Sequence, residues 1–176
     1  MHSCFTFAGD EDFLKNDIRV KSDLDAHGAL GDAGWYGIRS ILWAVDYELP
    51  KTVTALPGDC FKRSRGYSVL RCFSAMGRWE SGNFPLLFSG SFDNGYYCHW
   101  NSRDFACWAA VPSQHTVMTD LPQEACMVTE FARLVGNIKA NGAKPDPKWP
   151  RISRKTQLIL DAVTTSIAQG SKPVEL

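Results

Sequence analysis

The stretch His27-Gly-Ala-Leu-Gly-Asp-Ala-Gly-Trp-Tyr36 carries the pattern around which the rest of the chain is organised. Its glycines tolerate positive φ and let the backbone approach a neighbour closely. Asp32 is a residue type that accepts hydrogen bonds from free N–H groups at a helix start, so we expect it to cap a helix. The apolar residues that follow have the spacing of one buried helical face: Ile38, Ile41, Leu42 and Val45. A glycine-rich helix entry, with a carboxylate and a phenol one turn apart, predicts the edge of an active site.

Composition and charge exclude several classes of function. A chain of 176 residues with 44% apolar content can form one domain with a sizeable core. Lys plus Arg and Asp plus Glu both number 19, so no net field favours nucleic acid or an anionic membrane. No apolar run reaches the length of a membrane span, and Met1-His-Ser-Cys lacks a signal-peptide pattern. We therefore expect no nucleic-acid or membrane partner and a cytoplasmic protein.

Local patterns predict further elements on both sides of the motif. Residues 4–7 and 52–56 have the pattern of strands, and residues 172–176 read as a short terminal strand. Two helices are expected after Leu121. Their expected faces are Val128, Phe131, Ala132 and Val135 in the first helix, and Ile159, Ala162, Val163 and Ile167 in the second. We expect Ser153 to cap the second helix, and Cys126 and Met127 to fill the core or its margin.

The six cysteines do not form a metal-binding pattern. None belongs to a C-x-x-C pair, and Cys98-His99 has no second ligand pair at zinc spacing. In the absence of a secretory signal, free buried thiols explain the cysteines better than disulfides do. We predict no metal site.

The motif region resembles a known family. Gly28-Ala-Leu-Gly-Asp-Ala-Gly-Trp-Tyr36 is similar to the G-G-G-A-L-x-D-x-G-x-[YH] motif of the Gfo/Idh/MocA oxidoreductases, and residues 4–18 and 121–176 are also similar to that family. The likeness is strongest to its plant members, which resemble the dihydrodiol dehydrogenase branch. The sequence departs from the motif at Ala26 and His27, where the wider family has glycines.

The resemblance implies a fold and an activity. The implied fold is α+β, an open and mainly antiparallel sheet with helices on one face, as in the family's second domain. The implied function is NAD(P)-dependent oxidation or reduction at a hydroxyl of a sugar, polyol or dihydrodiol, and the family often forms homodimers through the exposed sheet face. The sequence has no strand–G-x-G-x-x-G–helix unit, so we expect the N-terminal Rossmann domain to be absent and the chain to be inactive alone.

The resemblance also assigns roles to motif residues. Tyr36 stands at the position of the acid/base that exchanges a proton with the substrate hydroxyl. A phenol needs a nearby cation to act as a base near neutral pH, and the E-K-P motif whose lysine supplies it in the family is missing here. Asp32 corresponds to a carboxylate that positions substrate, although helix capping is an alternative or additional role. His27 and Gly28 are candidate pocket residues, and His27 could equally be a structural histidine.

Residues 59–110 are atypical within this chain. Their apolar residues follow neither the two-residue period of strands nor the 3.6-residue period of helices for long. The segment also lacks the similarity to the family that both flanking regions have. Codons can be chosen for residues 58–105 such that a one-base slip spells a string similar to the family's central strands. We interpret the segment as a product of a shifted reading frame or aberrant splicing; the alternative is a genuine insertion with its own structure. For the chain as a whole, the alternatives to an oxidoreductase are a non-catalytic self-association or binding module and a product that does not fold stably.

Overall fold

The computed structural model describes residues 2–6, 9–21, 23–58, 60–62, 68–79, 85–92, 97–101 and 120–176. The strands in this part of the chain are β1 (His2–Thr6), β2 (Thr52–Pro57), β3 (Cys60–Lys62), β4 (Ser68–Leu70), β5 (Cys72–Arg78), β6 (Pro85–Ser91), β7 (Tyr97–Asn101) and β8 (Val174–Glu175). The helices are α1 (Glu11–Asn16), α2 (Ala33–Ala44), α3 (Gln123–Asn141) and α4 (Lys148–Ala168), with a 3-10 turn at Ile18–Val20.

Six of these strands form one open sheet in the order β7-β1-β6-β5-β2-β8. All of its pairings are antiparallel except that of β1 with β6, which is parallel. Strands β3 and β4 pair separately. Helix α2 packs over β1 and β6, α4 packs over β2, and the two helices contact each other. The α+β prediction of an open, mainly antiparallel sheet with helices on one face is confirmed for α2 and α4.

The core lies between this sheet and helices α2 and α4. Apolar side chains that are less than 5% exposed come from both layers: Ile38, Ile41 and Leu42 from α2; Ile159, Leu160, Ala162 and Val163 from α4; and Val53, Ala55, Phe73, Ala75 and Phe88 from the sheet. The removal of such a side chain from water stabilises the fold by about 1.5–3 kcal/mol for the larger residues. The helical spacing that predicted buried faces in α2 and α4 is therefore confirmed.

Glycines set the close approach of α2 to the sheet. A Cβ built on Gly34 would lie 2.7 Å from Cζ of Phe73, and one built on Gly90 would lie 2.8 Å from Cε1 of the same ring. Phe73 is buried and packs edge-on against Phe88. Any side chain at Gly34 or Gly90 would therefore push against a ring that has little room to move.

Helix α4 begins earlier than the sequence suggested. It starts at Lys148, and the carboxylate of Asp146 accepts a hydrogen bond from the Lys148 N–H. Ser153 thus lies inside the helix, and the expectation that it caps α4 is wrong. Pro150 is tolerated in the first turn because its missing N–H would have had no partner within the helix. The expected terminal strand is present as β8, which pairs with β2.

The apolar face of α3 is not buried. Met127, Val128 and Phe131 are 67%, 62% and 68% exposed, and Cys126 is also exposed. The expectation that Cys126 and Met127 fill the core or its margin is wrong, because a periodic apolar face does not by itself determine which element covers it.

The atypical segment is only partly covered by the described residues. Within 59–110 they comprise 60–62, 68–79, 85–92 and 97–101, and the remaining positions lie outside them. Strand β5 alternates between buried and more exposed residues, and Phe73, Ala75 and Phe88 of this segment belong to the core. The shifted-frame interpretation stays a prediction about the nucleic acid.

None of the helices in the described ranges combines the length and the apolar character needed to cross a membrane.

Candidate active site

The loop before α2 is held by backbone contacts. Oδ1 of Asp25 accepts hydrogen bonds from the N–H groups of His27 at 2.9 Å and Gly28 at 3.1 Å. Gly28 has a φ of 54°, which a residue with a side chain rarely adopts. The Ala29 N–H donates to the Leu70 carbonyl at 2.9 Å, so the loop is also tied to β4. Gly28 is therefore explained by the turn itself, and Asp25 is a loop-forming residue that the sequence pattern did not reveal.

His27 lies folded against the loop. A Cβ built on Gly31 would lie 2.8 Å from the His27 Cβ, so the absence of a side chain at Gly31 makes room for the histidine. His27 is neither fully buried nor fully exposed. The role of His27 as a pocket residue or as a structural histidine stays a prediction.

Asp32 occupies the N-cap position of α2, but its side chain makes no capping hydrogen bond. Its Oδ2 instead lies 3.0 Å from Nε of Arg19, whose Nη1 lies 3.3 Å from Oδ1 of Asp17. Attraction to Asp32 is the largest cause that raises the pKa of Arg19 above its ordinary value. The capping role expected for Asp32 is wrong, because an ion pair with a residue distant in sequence orients its carboxylate.

Arg19 was not identified from the sequence. It lies in the 3-10 turn before the motif, and neither helical nor strand periodicity relates it to Asp32. Only the fold of the intervening loop brings the two side chains together. Both are partly exposed, at 39% for Arg19 and 31% for Asp32, so the pair borders solvent and remains accessible to a polar ligand.

Tyr36 lies one helical turn after Asp32 and is 55% exposed. Its ring packs against Phe5 of β1, with centroids 5.2 Å apart and planes inclined by 32°. The phenol is thus supported on one side by the sheet and open to solvent on the other. Asp32 and Tyr36 lie on one edge of α2, and His27 belongs to the loop that leads into it.

The described residues do not fit a dinucleotide. The glycines of the motif lie in a loop closed by Asp25 and tied to β4, and their spacing differs from the G-x-G-x-x-G turn between a strand and a helix.

A metal is not implied by the described residues either. They contain no group of three or more His, Cys, Asp or Glu side chains that could hold an ion. Cys4 and Cys126 are free thiols, while the side chains of Cys60, Cys98 and Cys107 and the whole of His115 lie outside the described part.

Comparison with known proteins places the fold. No family model matches the chain. GenD2 from gentamicin A biosynthesis, in complex with NAD, matches with a TM-score of 0.63 at 17% identity, over 99% of this chain and 54% of GenD2. Aldose-aldose oxidoreductase from Caulobacter crescentus, complexed with glycerol, matches with a TM-score of 0.70 at 13% identity, over 99% and 54%. Myo-inositol dehydrogenase from Lactobacillus casei, in complex with NAD(H) and myo-inositol, matches with a TM-score of 0.52 at 10% identity, over 99% and 52%.

These neighbours show the fold of the chain, which corresponds to one part of several solved oxidoreductases. The chain spans about half the length of each of them. The remaining half of each neighbour has no counterpart in the match.

Proposed function

We propose that this chain is the substrate-side half of an NAD(P)-dependent oxidoreductase of the Gfo/Idh/MocA type, acting on a hydroxyl of a sugar, polyol or dihydrodiol. The observation that carries the proposal is the exposed edge of α2, where the Tyr36 phenol stands one turn from the Asp32 carboxylate. The likeness of the fold to about half of NAD-bound oxidoreductases supports it. The hydride acceptor belongs to a nucleotide-binding part that the described residues do not form.

The groups of the chain have separate tasks in this proposal. Tyr36 exchanges the proton of the substrate hydroxyl through its phenolic oxygen, and Phe5 holds the ring in place from below. Asp32, oriented by Arg19, accepts hydrogen bonds from neighbouring hydroxyls. His27 lines the edge of the pocket, and Gly28 provides the turn that brings the histidine there. In this proposal a cation beside Tyr36 assists the proton exchange, because a phenol alone is a poor base near neutral pH.

The substrate class follows from the same groups. A carboxylate, an imidazole and a phenol around a solvent-facing edge suit a ligand with several hydroxyl groups, because each can make a hydrogen bond with a hydroxyl. Two of the solved neighbours hold such molecules, glycerol in one and myo-inositol in the other. We propose a polyhydroxylated substrate on this ground.

The test joins the chain to a nucleotide-binding part. The chain replaces the matching part of GenD2, which is solved in complex with NAD, and NADH or NADPH is followed by absorbance with a panel of sugars, polyols and dihydrodiols. We expect turnover with at least one of them. Tyr36→Phe should lower kcat by about 100-fold or more with little change in KM, because it removes the proton-exchanging group and leaves the ring in place.

Tyr47→Phe is the matched control, because it removes the same hydroxyl from a tyrosine outside the motif, in the loop after α2. It should leave kcat unchanged. A folded chimaera that binds the nucleotide and shows no turnover on the panel would contradict the proposal. Equal losses in the two variants would also contradict the role of Tyr36.

The exposed sheet face is a further part of the proposal. Thr52, Thr54, Met76 and Arg78, together with Pro173, line a shallow cavity of about 310 Å³ on the face opposite α2 and α4. The resemblance implies homodimerisation through this open face. Met76→Lys should weaken such a dimer, as measured by sedimentation, because it places two buried ammonium groups at the contact.

A further inference from the structure

Helix α3 carries a continuous apolar stripe that faces solvent. Met127, Val128 and Phe131 are more than 60% exposed, and Ile138 is 37% exposed. Leu134 and Val135 lie on the same side and are partly exposed. We call these six residues the α3 stripe. An exposed stripe that crosses several turns of one helix is a feature of interaction surfaces rather than of ordinary monomer surface.

Helix α3 gains little stability from packing within the described part of the chain. Helices α2 and α4 pack onto the sheet, whereas α3 packs closely against none of the other described helices or strands. Because most helical stability in proteins comes from the packing of an apolar face, a partner on this face would stabilise α3. Coverage of the α3 stripe would supply that packing.

The spacing of the stripe indicates what covers it. Met127, Phe131, Leu134 and Ile138 follow one another at intervals of four, three and four residues, which is the seam of a helix that packs lengthwise against another helix. Glu130 and Arg133 form an ion pair at 2.7 Å on this helix. The pair lies away from the seam, and each of its charges has its partner within the helix.

The charges at the two ends of α3 determine the direction of pairing. Glu124 lies in the first turn and Lys139 in the last turn. In an antiparallel pair of identical helices, each Glu124 comes close to the Lys139 of the other copy, and the two-fold axis repeats the contact. A parallel pair would place like charges together. The antiparallel arrangement also places the positive end of each helix dipole beside the negative end of the other, which is favourable.

We propose that a second copy of this chain docks on the α3 stripe, with the two α3 helices packed antiparallel. The contact involves neither substrate nor nucleotide and lies on a different element from the open sheet face. The surface would thus associate two copies whether or not the chain serves as half of an oxidoreductase.

The experiment measures the oligomeric state of the full chain by sedimentation equilibrium. Met76→Lys serves as the background, since it should weaken any association through the open sheet face. We expect this variant to remain dimeric. Adding Phe131→Asp should weaken the dimer by at least about 100-fold, because the centre of the seam then buries unpaired carboxylates. Adding Asn137→Asp instead, which places the same charge on the exposed opposite side of α3, should leave it unchanged.

Charge-reversal variants test whether the two α3 helices pair antiparallel. In the same background, Glu124→Lys should weaken the dimer by several-fold, and the double variant Glu124→Lys with Lys139→Glu should restore it. A monomeric Met76→Lys variant overturns the proposal, as does a dimer that Phe131→Asp leaves intact. Failure of the double charge reversal to restore the dimer overturns the antiparallel arrangement. Because circular dichroism reports helix content, it verifies that each variant is folded.

Discussion

Arg19 determines how the Asp32 carboxylate is presented at the start of α2. Without this partner the carboxylate would be free to turn back and cap the helix, as residues of its type commonly do. The ion pair instead joins Asp32 to Arg19 at 3.0 Å. At the residue scale, a single guanidinium thus accounts for a carboxylate that stands at the helix start without capping it.

Replacement of Arg19 should have a small effect on stability. Arg19→Gln is expected to lower the free energy of unfolding by about 0.5 kcal/mol, because pairs that border solvent contribute little. Lys15→Gln, which removes an exposed pair with Glu11, should have no measurable effect. Denaturant unfolding measures both. Since Asp32 raises the Arg19 pKa above its ordinary value, the contribution of the Arg19 charge is complete below that ordinary value and is lost only as the pH rises through the raised pKa. A contribution that changes across neutral and mildly alkaline pH would contradict this account.

Two helical glycines should respond in opposite ways to the same substitution. Gly34→Ala is expected to destabilise the protein by about 1–3 kcal/mol, because the new Cβ would meet the buried ring of Phe73. Gly136→Ala in α3 meets nothing within 4 Å and should stabilise its helix by about 0.5–1 kcal/mol. Thermal unfolding of the two variants tests this, and a stabilising Gly34→Ala would show that α2 is not held as close to the sheet as described.

At the scale of elements, a buried hydroxyl joins α4 to the sheet. The Ser166 hydroxyl accepts a hydrogen bond from the Ala55 N–H at 2.9 Å and donates one to the Lys172 carbonyl at 2.7 Å. One side chain thus connects α4, β2 and the segment that leads into β8. The periodic pattern of α4 identifies Ser166 only as a polar residue close to the buried face.

Removal of this hydroxyl should be costly. Ser166→Ala is expected to lower the free energy of unfolding by about 1–3 kcal/mol, because it leaves a buried N–H and a carbonyl without their partner. Thr165→Ala is the control, since its exposed hydroxyl donates only to the Asp161 carbonyl within the helix. Urea unfolding should separate the two clearly. Equal and small effects would mean that the strand finds another acceptor.

Helix α3 and strand β5 both differ from what their local sequence patterns suggest, in opposite ways. The apolar period of α3 predicted a buried face, yet that face is exposed. Strand β5 gave no strand prediction, yet its burial alternates and it contributes Phe73 and Ala75 to the core. Small residues such as Ser74 and Gly77 weaken the alternation in the sequence, while pairing on both sides holds the strand in place.

For the whole molecule, the packing of helices predicts an uneven stability. Helices α2 and α4 share one core with the sheet, whereas α3 lacks close contacts with the other described elements. In the monomeric variant that carries Met76→Lys and Phe131→Asp, amides of α3 should therefore exchange with solvent much faster than those of α4. Hydrogen exchange followed by mass spectrometry measures this. Equally slow exchange in α3 and α4 of the monomer would contradict the expected difference in stability between the two helices.

The sequence by itself determined the features that depend on neighbouring residues. It predicted the helical faces of α2 and α4, the strands β1, β2 and β8, and a loop whose Gly28 adopts a positive φ. Only the tertiary structure decided that the Asp32 carboxylate pairs with Arg19 instead of capping α2. It also decided that the Phe5 ring packs against Tyr36 and that the α3 stripe faces outward. The physical reason is that periodicity and turn chemistry act over a few residues. Ion pairing and burial depend instead on which distant parts of the chain the sheet brings together.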